Sequence, residues 1–331
     1  MNPTERVQLG KTSLRVTRLG LGGTAIAGLY HDVREEAAVQ TVQRALALGT
    51  NLIDTAPLYG AGKSEQRVGL SLSGVKRNSF ILASKVGYGL VEQKPGANED
   101  IFFPFENAPP LRPVMDFSYD GVMRSVEQSL RRLGLDRVDI LHIHDPHNHY
   151  DEALKGAYKA LDKLREEKIT VALGVGMNQP EMLVRFAREA NFDCFLLAGR
   201  FTLIDHTDAK ELLSLCIENH ISIILGGPYN SGILATGSTP GTTFNYLSAP
   251  PDVLETVRQI EVVCERHSVP LKAAALQFPL THPAVVSVIP GARSPEEVTD
   301  NFQMMSHPIQ EAFWDELRAR NFLPQEVRTY S

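Results

Sequence analysis

Cysteine is scarce: Cys194, Cys216 and Cys264 are the only three in 331 residues, odd in number, far apart and without a Cys-x-x-Cys spacing. They read as reduced, packed thiols in a cytoplasmic protein. No run of about 18 apolar residues is present to cross a bilayer. The polar start Met1-Asn2-Pro3-Thr4-Glu5-Arg6 lacks the apolar stretch of a signal peptide. Basic blocks are missing as well. The 33 Lys and Arg residues against 39 Asp and Glu leave a mild charge of -6, spread along the chain. That pattern argues against nucleic acid and against an anionic membrane as partners. No Pro/Gly/Ser linker or composition break divides the sequence, so residues 1–331 are expected to form a single domain. Oligomeric state leaves no signature.

What remains is an alternation. Short apolar runs at 18–21, 52–56, 80–85, 139–144, 172–176, 194–198, 222–226 and 285–290 have the length and composition of buried strands. Between them lie amphipathic segments at 35–48, 63–72, 120–133, 151–167, 180–189, 209–219, 252–267 and 295–304. In the third, Val122, Val126, Leu130 and Leu133 recur at helical spacing. Strand and helix repeated eight times predict a (β/α)₈ TIM barrel, preceded by an N-terminal β-hairpin over 6–16 around Gly10. The connection 87–117 is too long for a plain loop. Its Phe102-Phe103-Pro104-Phe105 stretch marks it as a cover over the barrel mouth, and the tail 313–331 is a second candidate cover.

Two motifs invite functions that the rest of the chain does not support. Gly20-Leu21-Gly22-Gly23-Thr24-Ala25 matches a dinucleotide fingerprint directly after a strand. No acidic residue closes a second strand at the right distance and no helix follows at once, so a glycine-rich first barrel strand is the better reading. His142-Ile143-His144-Asp145, with His147 and His149 beyond, has the look of a metal site. Residues i and i+2 of a strand do share a face. No other strand end offers a His or Cys, so no metal is expected. His142 then reads as an inward, hydrogen-bonded core histidine, His147 and His149 as solvated, and His144 as the one that faces the pocket.

The chemistry-bearing residues sit on three successive strand ends. Asp54 closes one strand and Tyr59 lies in the loop after it; Lys85 closes the next strand and His144 the one after that. Strand ends of such barrels are where reactive side chains collect. A free phenol ionises near pH ~10. A buried ammonium beside it favours phenolate, and a carboxylate holds that ammonium charged. The imidazole can orient the oxygen of a carbonyl or alcohol while the tyrosine moves its proton.

In these residues the chain resembles the aldo-keto reductase superfamily. Asp54-Thr55-Ala56-Pro57-Leu58-Tyr59-Gly60 looks like its first signature. Arg132-Leu133-Gly134-Leu135-Asp136-Arg137-Val138-Asp139 looks like its second, and Ile289-Pro290-Gly291-Ala292-Arg293-Ser294-Pro295-Glu296, on to Asn301, like its phosphate-and-adenosine segment. The resemblance implies Tyr59 as general acid/base, Lys85 as its modulator, Asp54 as the lysine's partner and His144 as the orienting group. It implies a barrel that binds a nicotinamide dinucleotide without a Rossmann domain. The segments 141–145, 196–203 and 226–232 are similar to a branch with D-threo-aldose, L-fucose and L-galactose 1-dehydrogenases, with pyridoxal 4-dehydrogenase close by. Members of that branch oxidise a cyclic hemiacetal to a lactone, so a sugar is the implied small-molecule substrate. Alternatives on the same residues are an NADPH-dependent aldehyde or ketone reductase, pyridoxal 4-dehydrogenase, or a dinucleotide-binding regulatory subunit.

The resemblance also assigns cofactor contacts, with departures. Where many members hold the carboxamide with a Ser-Asn pair, this chain has Met177-Asn178; Asn178 can still bond it. A common glutamine is replaced near Ala198, and a stacking tyrosine by Gly226. Gly227 is a further expected cofactor contact, and Asn230-Ser231-Gly232, with free backbone N–H groups, is the expected pyrophosphate contact. NADPH-preferring members tend to carry Lys and Arg where Gly291 and Glu297 stand. A carboxylate repels a 2′-phosphate and accepts a bond from a 2′-hydroxyl. NAD is therefore expected over NADP, although Arg293 is near enough to bind phosphate.

Overall fold

The computed structural model describes residues 1–92 and 105–324. Eight parallel strands form one sheet: β1 (Leu21–Gly22), β2 (Leu52–Asp54), β3 (Ile81–Val86), β4 (Ile140–His144), β5 (Ala172–Met177), β6 (Cys194–Ala198), β7 (Ser222–Gly226) and β8 (Val285–Ile289). Each pairs with its neighbours in sequence. Parallel bridges between Leu19 and Val288 and between Gly22 and Gly291 join the first strand to the last, closing the sheet into a barrel. This is the expected (β/α)₈ fold, with every strand of the sequence reading present.

Side-chain alternation places the functional residues. Leu52, Ile81, Ala83, Ile140, Ala172 and Cys194 form an inner core, whereas Ile53, Leu82, Val86, Leu141 and Ile143 pack outward against the helices. With a period of two, Asp54 follows Leu52 inward, Lys85 follows Ala83, and His142 and His144 follow Ile140. The bottom of the barrel is plugged by the N-terminal hairpin, Arg6–Gln8 with Arg15–Thr17, which adds Leu9 and Val16 to the inner core. Its turn needs Gly10. At φ +52° a Cβ there would lie 2.1 Å from the Asp193 carbonyl oxygen, and Gly10 N–H donates to Ser222 Oγ at 2.7 Å.

The outer helices follow the expected segments, with Lys63–Leu72 and Pro180–Glu189 matching at both ends. The segment expected as one helix over 151–167 contains a π-helical stretch, Ala153–Ala157, between Tyr150–Glu152 and Tyr158–Glu166. No described helix is long and apolar enough to cross a membrane.

Three connections differ from expectation. The long one is a hairpin, Tyr88–Glu92 paired with Leu111–Met115. Phe102, Phe103 and Pro104 lie outside the described residues, while Phe105 bridges to Leu29 beside the barrel mouth. The described part of the tail is not a cover. Glu311–Ala319 is a helix that buries Phe313, Trp314 and Leu317 and packs on the helix Pro251–His267. Its apolar residues at i, i+1 and i+4 make one stripe, which needs a core rather than a pocket. Finally, a small hairpin, Thr243–Phe244 with Leu247–Ser248, was not foreseen. Its turn, Asn245-Tyr246, has φ of 49° and 65° without a glycine to signal it.

Candidate active site

A cavity at the carboxyl ends of the strands is lined by Tyr59, Lys85, His144 and Asp145 among others. Lys85 lies 1% exposed. Its Nζ donates to Asp54 Oδ1 at 2.8 Å, Asp54 Oδ2 at 2.7 Å and the Thr55 carbonyl at 2.9 Å. Burial opposes the charge of this ammonium most, but the Asp54 and Tyr59 charges and its hydrogen bonds to both together raise its pKa. On the outward side of the same strand Ser84 Oγ donates to Glu65 Oε1 at 2.8 Å. Arg132 Nε, from the second signature, donates to Glu65 Oε2 at 2.7 Å. This buried bond fixes the rotation of β3, and with it the aim of Lys85.

Tyr59 sits in the turn after β2. Thr55 Oγ1 donates to Ser64 Oγ at 2.8 Å and Ser64 Oγ to the Gly23 carbonyl at 2.8 Å, tying that turn to the first strand end. The phenol ring stands 4.6 Å below Lys85 Nζ and edge-on to His144, centroids 5.9 Å apart. Burial raises the Tyr59 pKa most; the Lys85 charge lowers it, the Asp54 charge raises it, and hydrogen bonding to Lys85 and Thr24 lowers it, with a net rise. Lys85 therefore pulls in the expected direction, against its own counter-ion and the dry cavity.

His144 is uncharged, held well below the usual imidazole range by burial and then by the Lys85 charge. Its Nε2 lies 3.6 Å from Asp145 Oδ2. His142 points inward as expected, but the hydrogen-bonded reading holds only in part. Its Nε2 is 3.6 Å from Cys194 Sγ, a weak contact, and Nδ1 has no partner among the described residues. Burial, then Lys85, pushes it down to about 3. His149 Nδ1 is 3.0 Å from Glu152 Oε2, outside the cavity.

The expected cofactor residues follow the ends of β5, β7 and β8. Asn178 lines the cavity. Gly227 and Gly232 have positive φ, and no atom lies within 4 Å of a Cβ placed on Gly232, which leaves an open shelf. The expectation of free N–H groups in this stretch fails at two positions: Asn230 N donates to the Gly227 carbonyl and Gly232 N to the Tyr229 carbonyl, both at 3.0 Å. A tight turn satisfies its own donors. Ser231 Oγ accepts from Tyr246 N at 2.9 Å. Asn230 Nδ2 donates to the Gly199 carbonyl at 3.0 Å, and its Oδ1 is buried without a partner among the described residues. Gly291 bridges to Gly22, and Asn301 Oδ1 accepts from Tyr229 Oη at 2.6 Å. Arg293 and Glu297 hold each other: Arg293 N and Nη2 donate to the Glu297 carboxylate at 2.8 and 2.9 Å.

Asp145 and Tyr246, like Thr24, line the cavity and were given no role from the sequence. Asp145 follows His144 directly, and a polar residue one past a strand end was signal enough to find it. Tyr246 arrives from the unforeseen hairpin, and nothing local in the sequence announced it.

The family model "Aldo/keto reductase family" matches residues 18–321. Among curated relatives, pyridoxal 4-dehydrogenase of Microbacterium luteolum is 34% identical, covering 98% of this chain and 99% of its own. D-threo-aldose 1-dehydrogenase of a Pseudomonas species is 35% identical, covering 94% and 96%. Among solved structures, an aldo-keto reductase of Bacillus halodurans in holo form superposes with a TM-score of 0.77 at 24% identity, covering 99% of this chain and 98% of that one. The chain belongs to the aldo/keto reductase family and is an oxidoreductase of that family.

Proposed function

We propose that this protein oxidises the anomeric carbon of an aldose, in its cyclic hemiacetal form, to the lactone, with NAD preferred as the cofactor. The observation that carries this reading is the convergence of Tyr59, uncharged His144 and the buried Lys85–Asp54 pair on one cavity. The relative at 35% identity named as an aldose 1-dehydrogenase supports it.

In that reading His144 donates a hydrogen bond to the anomeric oxygen. The Tyr59 phenolate, with Lys85 beside it, accepts the anomeric hydroxyl proton. The O–H and C1–H bonds break and the lactone carbonyl forms. A bound nicotinamide dinucleotide supplies the acceptor for the hydrogen and electron pair that leave C1. The residues present fit such a group: an open shelf at Gly232, a buried orphan oxygen on Asn230, and a helix N-terminus at Pro295–Ser306 capped by Ser294. Asn178 would bond the carboxamide, while Gly227, Ser231, Gly232 and Gly291 would border the phosphates.

The cofactor preference rests on the Arg293–Glu297 pair. The Glu297 carboxylate beside the Arg293 guanidinium offsets its charge toward a 2′-phosphate, and the carboxylate can accept from a 2′-hydroxyl. A second reading, oxidation of pyridoxal, is favoured by Phe105 and Tyr246 at the mouth, where an aromatic ring would stack, and by the 34% identity to a pyridoxal 4-dehydrogenase. Initial rates of nicotinamide reduction with aldoses and with pyridoxal separate the two. No turnover of any aldose would sink the first.

A further inference from the structure

Asp145 is unlike the other carboxylates of the barrel. It lines the same cavity as Tyr59 and His144, on a backbone with φ of 47°. Its N–H is fixed to the Gly176 carbonyl at 2.9 Å, which sets the turn that aims the side chain. The Asp54 carboxylate is spent on Lys85, but that of Asp145 makes no hydrogen bond among the described residues. The neighbouring polar atom is His144 Nε2, 3.6 Å from Oδ2, and that imidazole is uncharged. Its side chain is 31% exposed and makes no ion pair with a lysine or arginine among the described residues, so a hydroxyl that enters the cavity finds an open acceptor there. Burial lifts its pKa to about 6, with His147 and Lys85 opposing.

We propose that Asp145 reads a hydroxyl on the carbon next to the reacting one, so that the site selects hemiacetals bearing a vicinal hydroxyl. The inference rests on the aldose reading above and deepens it. An oxygen bonded to His144 Nε2 sits beside Asp145 Oδ2, and the neighbouring oxygen of a vicinal diol lies about one hydrogen-bond length further on. A carboxylate only accepts, so its partner must carry a proton. A hydroxyl qualifies; a ring ether oxygen does not. A substrate without that hydroxyl leaves the carboxylate desolvated and unpaired, which is how a site built for a hydroxyl rejects its deoxy analogue.

The test compares kcat/KM for D-arabinose with that for 2-deoxy-D-ribose, which is D-arabinose without its C2 hydroxyl, in wild type and Asp145→Gly. Glycine removes the side chain and accepts the positive φ, where alanine would be strained. The ratio of the two values cancels general losses of activity. It is expected to fall about 10- to 100-fold in the variant, the worth of a hydrogen bond to a charged group. Retained cofactor binding, followed by fluorescence quenching, shows that the variant is folded. Should glycine not fold, Asp145→Asn suits the same backbone and is expected to lower the ratio about tenfold. An unchanged ratio with aldose turnover intact overturns this inference alone. Absence of aldose turnover in the wild type overturns the proposed function and this inference with it.

Discussion

Replacing Lys85 with methionine tests the electrostatics of the cavity, because methionine fills a similar volume and removes the charge together with the three hydrogen bonds Nζ donates. Lys85 Nζ lies 4.6 Å from the centre of the Tyr59 ring. Two unit charges at that distance interact by about 3–4 kcal/mol at an effective dielectric constant of about 20. Alone, that would reduce the phenolate fraction by roughly 100- to 1000-fold. Part of it is returned. Asp54, whose pKa burial already raises, will take up a proton once its cation is gone, and its unfavourable pull on the phenolate then disappears. The net expectation is a loss of about 10- to 100-fold in kcat/KM for oxidation at pH 8, shrinking as the pH rises. The assay is the pH profile of kcat/KM from nicotinamide absorbance. The ascending limb should move to higher pH, with cofactor binding retained. An ascending limb at the wild-type pH would refute the role given to Lys85, whatever the loss in rate.

Tyr59→Phe should lower kcat by at least about 100-fold, the usual worth of a positioned proton acceptor, with the cofactor dissociation constant unchanged by titration; equal loss of binding would make Tyr59 structural. Glu297→Gln should free Arg293 and raise the NADP-to-NAD ratio of kcat/KM about tenfold; an unchanged ratio would remove the pair from cofactor choice. Asp145 has a folded-state pKa raised to about 6, so its contribution to stability is full below pH ~4 and lost as pH rises to 6. Asp145→Asn should therefore be more stable than wild type at pH 7 by up to about 3 kcal/mol, less what partial exposure screens, and gain little at pH 4; urea midpoints at the two pH values check the sign. Trp314→Ala should cost about 3–5 kcal/mol of unfolding free energy with little change in KM; a large KM effect would restore the tail helix as a pocket cover.

The barrel was legible because a parallel strand buried on both faces leaves a continuous apolar run, and eight such runs, Leu52–Asp54 and Ile81–Val86 among them, recur between amphipathic helices. The positions of Asp54, Lys85 and His144 were legible for a related reason, since strand ends fix position and period two fixes direction, while Tyr59 was placed only by its closeness in sequence to Asp54. Two kinds of information were not. Tyr246 reaches the cavity from a hairpin whose turn uses Asn245, which tolerates positive φ, and Tyr246, which rarely adopts it. The balance of charges at Tyr59 depends on burial as much as on Lys85, and burial is not written in spacing. Glu297 stands out in the last motif of the sequence, yet its bond to Arg293 emerges only where the helix start brings residues 293 and 297 together.

The most direct test of the central claim is the initial rate of nicotinamide reduction, with NAD and separately NADP, over L-fucose, L-galactose, D-arabinose, pyridoxal and a simple aldehyde. Turnover of one or more of these sugars, faster with NAD than with NADP, is the predicted result. Turnover of none of the sugars, with reduction of the simple aldehyde by NADPH instead, would contradict it.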